Sequence, residues 1–297
     1  MNVFENVIGF EIRENSNSCV VLGDCLDVLK RIKTASVDLI FADPPYGIGK
    51  DFGITKDIFT DVNDYEKWAV LWIDECMRIL KPSGTMYLMS STQYMPAIDR
   101  YVDSNYFVIN RIVWVYDSSG VQSKSKYGSL YEPILMITHN EKTKYIFNYQ
   151  DIMVEARTGA ERKLIDYRKT PPQPYNKLKV PGNVWHFSRV RYKMNEYENH
   201  PTQKPEPLIE RIILASSNEG DIVLDPFSGS FTTSAVAVRL GRIAIGIEIN
   251  PDYFKIGLRR TGICTNYSGE FLYCDKSRKT KNKSKNNHFI DGEQLTL

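Results

Sequence analysis

Short apolar segments of strand type alternate with helical patterns at both ends of the chain, and this alternation limits the fold more than any other feature. The strand pattern occurs at 19–23, 37–43, 85–90, 111–117, 132–139, 221–227 and 243–249. Helical spacing of apolar residues occurs at 24–32, 68–79, 207–218 and 232–241. Such alternation predicts an α/β fold, with a mostly parallel sheet and helices on both faces. Pro82 and Gly84, within Lys81-Pro82-Ser83-Gly84, predict the end of the second helix.

The chain divides into four segments by pattern. Strands and helices fill residues 1–139 and return over 200–274, whereas 140–199 has no clear period and contains four prolines. Residues 275–297 are rich in lysine and poor in apolar side chains. We therefore expect two parts of one sheet, separated by a loop-rich insert and followed by a basic, flexible tail.

Composition excludes several classes of protein. No apolar run approaches the roughly 20 residues that a bilayer span needs, and the N-terminus lacks a basic start followed by an apolar stretch. We expect an untargeted, cytoplasmic protein that does not contact a membrane. The five cysteines have scattered spacings and only four histidines accompany them, which argues against both a disulfide framework and a metal site.

The charge is unevenly distributed although the formal net charge is only +2. Residues 1–110 contain 10 Lys and Arg against 16 Asp and Glu, while residues 111–200 contain 15 against 9. The basic middle third fits two interpretations, a solvated face or a binding surface for a polyanion such as a nucleic acid.

Asp43-Pro44-Pro45-Tyr46 directly follows one of the apolar strand segments. The carboxyl ends of strands in an open α/β sheet are where ligands bind. The tetrapeptide could be a simple turn, but it also places a carboxylate, a backbone carbonyl and an aromatic ring on a stiff backbone. Asp43 and the Pro44 carbonyl could accept both hydrogens of an exocyclic amino group such as N6 of adenine, while Tyr46 stacks on the base.

Asp225-Pro226-Phe227-Ser228-Gly229-Ser230 forms a second strand-to-turn motif, with a helical pattern after it. Small residues let the backbone approach a ligand closely, although such a turn alone is a weak nucleotide signal. Glu248 follows Asp225 by 23 residues and ends another strand segment. An acidic residue at about this spacing binds ribose hydroxyls in Rossmann-like sites; otherwise, Glu248 would be an ordinary surface residue.

His200-Pro201-Thr202-Gln203-Lys204-Pro205 precedes the helical pattern at 207–218. This polar cluster could simply cap the helix, or Lys204 could neutralise a ligand carboxylate. The chain lacks both the Gly-x-Ser-x-Gly motif of hydrolases and the Gly-x-Gly-x-x-Gly motif of dinucleotide oxidoreductases.

These three motifs together resemble the S-adenosylmethionine-dependent amino-methyltransferases of DNA, and their order resembles the β group, in which the catalytic motif precedes the cofactor motif. Residues 116–136 and 183–205 further resemble the orphan-type adenine-N6 enzymes of that group. The resemblance implies a Rossmann-like methyltransferase fold with permuted motif order, duplex DNA as substrate and the palindrome ATGCAT as target. Such a target is compatible with a homodimer or with a monomer that methylates each strand in turn.

The resemblance also assigns segments and residues. It implies a catalytic part at 1–139, a target-recognition insert at 140–199 and a cofactor-binding part at 200–274. The implied catalytic residues are Asp43, Pro44, Pro45 and Tyr46. The implied cofactor-binding residues are Asp24, Thr202, Lys204, Asp225, Phe227, Gly229, Ser230 and Glu248. Arg189 and Arg191 are the suggested DNA-binding residues, with guanine in the major groove as their target.

Phe231 departs from the broad family, which commonly has a second glycine there. A phenylalanine at positive φ would crowd a close approach of the backbone to the cofactor. Two other interpretations stay open: N4-cytosine methylation, and a DNA-binding protein that keeps the fold without turnover. A C5-cytosine enzyme is disfavoured because its cysteine nucleophile typically follows proline, and the chain has no Pro-Cys.

Overall fold

The structure is a computed structural model that describes residues 3–5, 9–47, 49, 59, 61–116, 124–125, 127–156, 163–264, 267–268 and 271–272. The predicted tail at 275–297 lies outside these residues. The main strands are β1 Glu11–Glu14, β2 Ser18–Leu22, β3 Val37–Ala42, β4 Leu80–Met89, β5 Phe107–Val115 and β6 Tyr131–Thr138. Short strands follow: β7 Val154–Glu155, β8 Ile165–Asp166, β9 Gln173–Pro174, β10 Leu178–Lys179 and β11 Val184–His186. The last strands are β12 Ile222–Asp225, β13 Ile243–Glu248, β14 Tyr267–Ser268 and β15 Phe271–Leu272.

Six α-helices and one short 3-10 helix, Tyr149–Ile152, connect the described strands. The α-helices are α1 Cys25–Leu29, α2 Val62–Ile79, α3 Met95–Asn105, α4 Glu206–Ser216, α5 Thr232–Arg239 and α6 Pro251–Arg260. All predicted strands and helices are present, and most of their bounds agree within four residues, but α2 begins six residues and β4 five residues before the predicted starts. Strand β1 and helices α3 and α6 were not predicted.

Nine strands form the main sheet in the order β1-β2-β13-β12-β3-β4-β6-β5-β11. The central strands from β2 to β4 are parallel, and β6 runs antiparallel to both β4 and β5. Side chains of β3 alternate between two core clusters, with Ile40 on one face and Leu39 and Phe41 on the other. Both faces are therefore buried, which confirms the predicted α/β fold with helices on both sides of a mostly parallel sheet.

The predicted end of the second helix is confirmed, because α2 ends at Ile79, and Lys81-Pro82-Ser83-Gly84 lies within β4. The register between β3 and β4 shifts between the Val37–Leu80 and Leu39–Thr85 pairs, a stretch in which Pro82 has no N–H to donate to the ladder. The predicted insert 140–199 is loop-rich, but β11 within it extends the main sheet by pairing with β5. Cys264 is disulfide-bonded, contrary to the expectation drawn from the cysteine spacings.

Candidate active site

Four adjacent parallel strands bring all four predicted acidic residues to one edge of the sheet. Asp24 follows β2, Glu248 ends β13, Asp225 ends β12 and Asp43 follows β3. Residues that are up to 224 positions apart in sequence thus meet at the carboxyl edge, where open α/β sheets bind ligands.

A cavity of about 370 Å³ opens at this edge. It is lined by every predicted catalytic and cofactor-binding residue: Asp24, Asp43, Pro44, Pro45, Tyr46, Thr202, Lys204, Asp225, Phe227, Gly229, Ser230 and Glu248. The two predicted sites therefore form one continuous space, as a reaction between two bound molecules requires.

Asp225 shapes the turn that follows β12. Its carboxylate accepts hydrogen bonds from the Phe227 N–H at 3.0 Å and from the Thr233 hydroxyl at 2.6 Å. Burial raises the pKa of Asp225 to about 7. Both contacts stay within the turn and the start of α5, so they hold the loop in shape where Phe227 packs edge-on against Trp72.

Glu248 is fixed on the opposite side of the same turn. Its two oxygens accept hydrogen bonds from the backbone N–H groups of Gly229 and Asn250, each at 2.8 Å. Gly229 has a φ of +48°, and a Cβ there would lie 2.7 Å from Nε2 of His200. Glycine is therefore required at this position both by conformation and by space.

Phe231 does have positive φ, at 57°, but its ring does not enter the cavity lining. The ring is fully buried in a slot between β13 and α6. A Cβ on either Gly246 or Gly257 would lie 2.6 Å from a ring atom of Phe231. The expected crowding of the Asp225–Ser230 turn is thus avoided, because two glycines on neighbouring elements leave room for the ring outside the cavity lining.

His200 and Asp24 line other parts of the cavity. The Asp24 carboxylate caps α1 by accepting the Leu26 N–H at 2.9 Å. The His200 ring packs edge-on against Tyr253, with centroids 4.6 Å apart. Burial lowers the pKa of His200 to about 3, so the imidazole is neutral at physiological pH. Thr202 follows it, and its N–H donates to Nδ1 of His200 at 3.4 Å.

Asp43, Tyr46, Glu132 and Lys204 form a buried cluster at the catalytic motif. The Tyr46 hydroxyl lies 2.6 Å from Oδ1 of Asp43 and 2.9 Å from Oε2 of Glu132. The Lys204 ammonium lies 2.6 Å from Oδ2 of Asp43 and 3.4 Å from the same oxygen of Glu132. One hydroxyl and one ammonium are therefore shared between two carboxylates.

Burial and charge act in opposite directions within this cluster. Burial raises the pKa of Asp43, and the Lys204 ammonium only partly opposes that effect. Burial also works to lower the pKa of Lys204, but the two neighbouring carboxylates outweigh it and raise that pKa overall. Lys204 therefore stays charged, and burial raises the pKa of the Tyr46 phenol so that the ring stays neutral.

Sequence reasoning missed Glu132 and gave His200 no role of its own. Glu132 lies at the start of β6, which was predicted as a strand, but the sequence did not give its direction. Because β6 runs antiparallel to β4, its first residues lie at the same edge as the carboxyl ends of the parallel strands. The sequence feature that could have identified Glu132 was an acidic residue at the start of an otherwise apolar strand segment.

Arg189 and Arg191 lie outside the cavity lining. The Arg189 guanidinium lies over the Tyr116 ring, 4.7 Å from its centroid, and burial together with the nearby Glu132 carboxylate raises the pKa of Tyr116. Arg189 is thus separated from the acidic cluster by one aromatic ring, whereas the Arg191 side chain is exposed.

The described part of the chain contains no group of three or more His, Cys, Asp and Glu residues arranged to hold a metal ion. None of its helices combines the length and the apolar character needed to cross a membrane.

Comparison with known proteins agrees with this geometry. A family model described as DNA methylase, for N6- and N4-methyltransferases, matches residues 37–259. DNA adenine methyltransferase YhdJ of Escherichia coli K12 is 56% identical over 289 residues, which are 95% of this chain and 96% of that protein. The structure of PvuII DNA methyltransferase, described as cytosine-N4-specific, has a TM-score of 0.64 at 19% identity and covers 85% of this chain and 90% of its own. The structure of the M1.HpyAVI–SAM complex has a TM-score of 0.57 at 24% identity, and the match covers 81% of this chain and 97% of that chain. This chain belongs to the DNA methylase family of N6- and N4-methyltransferases.

Proposed function

We propose that this protein transfers a methyl group from S-adenosylmethionine to N6 of an adenine that has been flipped out of duplex DNA. The observation that carries the proposal is one cavity that is lined by Asp43, by the Asp225–Ser230 turn and by Glu248. The 56% identity to an adenine methyltransferase over nearly the whole chain supports adenine as the base.

The residues around the turn fit the proposed cofactor by their donor chemistry. Glu248 lines the cavity, and backbone N–H groups fix both of its carboxylate oxygens, which can accept further hydrogen bonds from ribose hydroxyls. We assign the adenine end to Asp24 and Phe227, the methionine end to Thr202, and the shape of the turn to Asp225, Gly229 and Ser230. Lys204, which the sequence assigned to the methionine end, is instead paired with Asp43 and Glu132. S-adenosylmethionine supplies an electrophilic methyl group on a sulfonium when bound.

Asp43 and the Pro44 carbonyl are the proposed acceptors for the N6 amino hydrogens. The N6 lone pair is delocalised into the ring, and two acceptors draw the nitrogen toward tetrahedral geometry and stabilise the positive charge that develops on it. Tyr46 stacks on the flipped base, which cannot be reached inside a duplex. Pro45 keeps this backbone stiff.

We propose that residues 140–199 contact the DNA. Basic residues Lys177, Lys179 and Arg191 and the aromatic residues Tyr167 and Tyr192 are exposed there. Arginine and lysine suit phosphate contacts, and a guanidinium suits guanine in the major groove, which is the role proposed for Arg189 and Arg191. The proposed target is ATGCAT, read by a monomer acting on each strand in turn or by a homodimer.

Product analysis tests the proposal directly. We expect the purified protein, mixed-sequence duplex DNA and labelled S-adenosylmethionine to yield N6-methyldeoxyadenosine, identified by mass after digestion to nucleosides. A duplex containing ATGCAT should be labelled and its scrambled counterpart should not. N4-methyldeoxycytidine would reassign the base, and absence of any product despite cofactor binding would instead favour a DNA-binding protein without turnover.

Cofactor affinity is expected to depend on pH through Glu248. Burial raises its pKa to about 7, and ribose hydroxyls that donate to the carboxylate stabilise the charged form. Binding below that pH must therefore release a proton, so affinity should rise as pH approaches about 7 and then level off, with a slope of at most about tenfold per pH unit. Calorimetry across this range measures the profile, and Glu248→Gln should flatten it. A pH-independent affinity in the unmodified protein would contradict the assignment.

A further inference from the structure

Both oxygens of the proposed catalytic carboxylate already have donors from the chain itself. The Tyr46 hydroxyl donates to Oδ1 of Asp43 and the Lys204 ammonium lies at Oδ2, each at 2.6 Å. A carboxylate oxygen can accept more than one hydrogen bond, so an incoming amino group that uses this carboxylate competes with Tyr46 and Lys204 and weakens their bonds to it. A donor that gives way then needs another acceptor, because an unpaired buried ammonium or hydroxyl is costly.

Glu132 is placed to be that acceptor for both donors. Its Oε2 lies 2.9 Å from the Tyr46 hydroxyl and 3.4 Å from the Lys204 ammonium, so neither donor has to travel far to exchange partners. The Glu132 side chain is only 12% exposed, and its backbone is held in β6 opposite Trp114 of β5. The carboxylate is therefore kept in place by the sheet.

Glu132 also sets the charge of the cluster. Lys204 carries one positive charge and can neutralise only one of the two adjacent carboxylates. Two carboxylates thus share one ammonium, in a setting where electrostatic interactions are weakly screened. A second carboxylate beside Asp43 favours a positive charge developing on a nitrogen there.

From this geometry we infer that Glu132 is a positioning residue for methyl transfer. As the target amino group binds to Asp43, Glu132 accepts the hydrogen bonds that the Tyr46 hydroxyl and the Lys204 ammonium had donated to Asp43. The inference rests on the proposed function. It describes an exchange of hydrogen bonds with no covalent step by Glu132.

Glu132→Gln tests the inference because it keeps the shape and removes the charge. We expect the single-turnover rate of methyl transfer to fall about 10- to 100-fold, while the Kd values for S-adenosylmethionine and for DNA change less than about twofold. Glu132→Asp should recover part of the rate. The matched control is Glu75→Gln, which removes a carboxylate paired with Arg78 on helix α2 and should leave the rate unchanged.

A double-mutant cycle separates positioning from a general structural effect. If Glu132 acts by receiving the Tyr46 hydroxyl, Glu132→Gln should cost less in a Tyr46→Phe background than in the unmodified protein. Additive losses, or an unchanged rate in Glu132→Gln, would overturn the inference. A loss of cofactor affinity or melting temperature as large as the loss of rate would also overturn it.

The same reactions distinguish the inference from the proposed function. N6-methyldeoxyadenosine formed by the unmodified protein is measured alongside each variant. Its absence would refute the proposed function, whereas its presence with full activity in Glu132→Gln would refute only the role of Glu132.

Discussion

Replacement of Asp43 by asparagine is expected to reduce the single-turnover rate of methyl transfer by at least about 10²-fold. The substitution keeps the size of the side chain but removes its charge and turns one acceptor into a donor. The target amino group then loses an acceptor for one N–H, and the charge that balances the developing cation disappears. Rapid-quench measurement with saturating DNA and cofactor reports this step without product release.

Binding of S-adenosylmethionine should survive in the Asp43→Asn variant. The proposed ribose contact is made by Glu248, which is held by Gly229 and Asn250 and not by Asp43. The matched control is Asp99→Asn, which removes a carboxylate paired with exposed Arg111 and should leave the rate unchanged. Full turnover in Asp43→Asn would refute the proposed mechanism, and loss of cofactor affinity would show that the two halves of the cavity are not independent.

Replacement of Phe231 by alanine is expected to lower the free energy of unfolding by about 3–5 kcal/mol. The ring is fully buried and fills the slot above Gly246 and Gly257, so its removal leaves a cavity between β13 and α6. Phe147→Ala is the matched control, because Phe147 is 42% exposed and its truncation should cost less than about 1 kcal/mol. Urea unfolding followed by circular dichroism measures both values.

Phe231→Gly distinguishes packing from backbone strain. Glycine removes the same ring but adopts the φ of 57° without strain, so this variant should be about 1 kcal/mol more stable than Phe231→Ala. Gly246→Ala should also destabilise the protein, because its Cβ would lie 2.6 Å from the Phe231 ring. If Phe231→Ala costs less than about 1 kcal/mol, the ring does not support this region.

Local patterns in the sequence predicted most of the sheet because both of its faces are buried. Strand β3 is apolar at every position except Asp38, and all six of its residues are buried, which is close to the pattern of a buried parallel strand. Helix α6 was missed although it carries a clear start signal, with Asn250 as N-cap, Pro251 next and Asp252 in the first turn. Helix α3 has weaker signals, since its N-cap, Tyr94, makes no side-chain capping bond.

The sequence by itself determined which chemistry is available, because each motif is a short local segment. Asp43-Pro44-Pro45-Tyr46 and the Asp225–Ser230 turn each carry their functional groups within six residues, and both follow strands that patterning identifies. Neighbouring residues fix such a turn, so its prediction needs no knowledge of distant contacts.

Only the tertiary structure decided how these segments combine. Glu132 joins Asp43 because β6 reverses direction beside β4, and Lys204 reaches the same carboxylate from the segment before α4. The ring of Phe231 avoids the cofactor turn because Gly246 and Gly257, on two other elements, leave space for it. The direction of a strand and the space available to a buried side chain both depend on contacts between residues that are far apart in sequence. No local sequence pattern encodes such contacts.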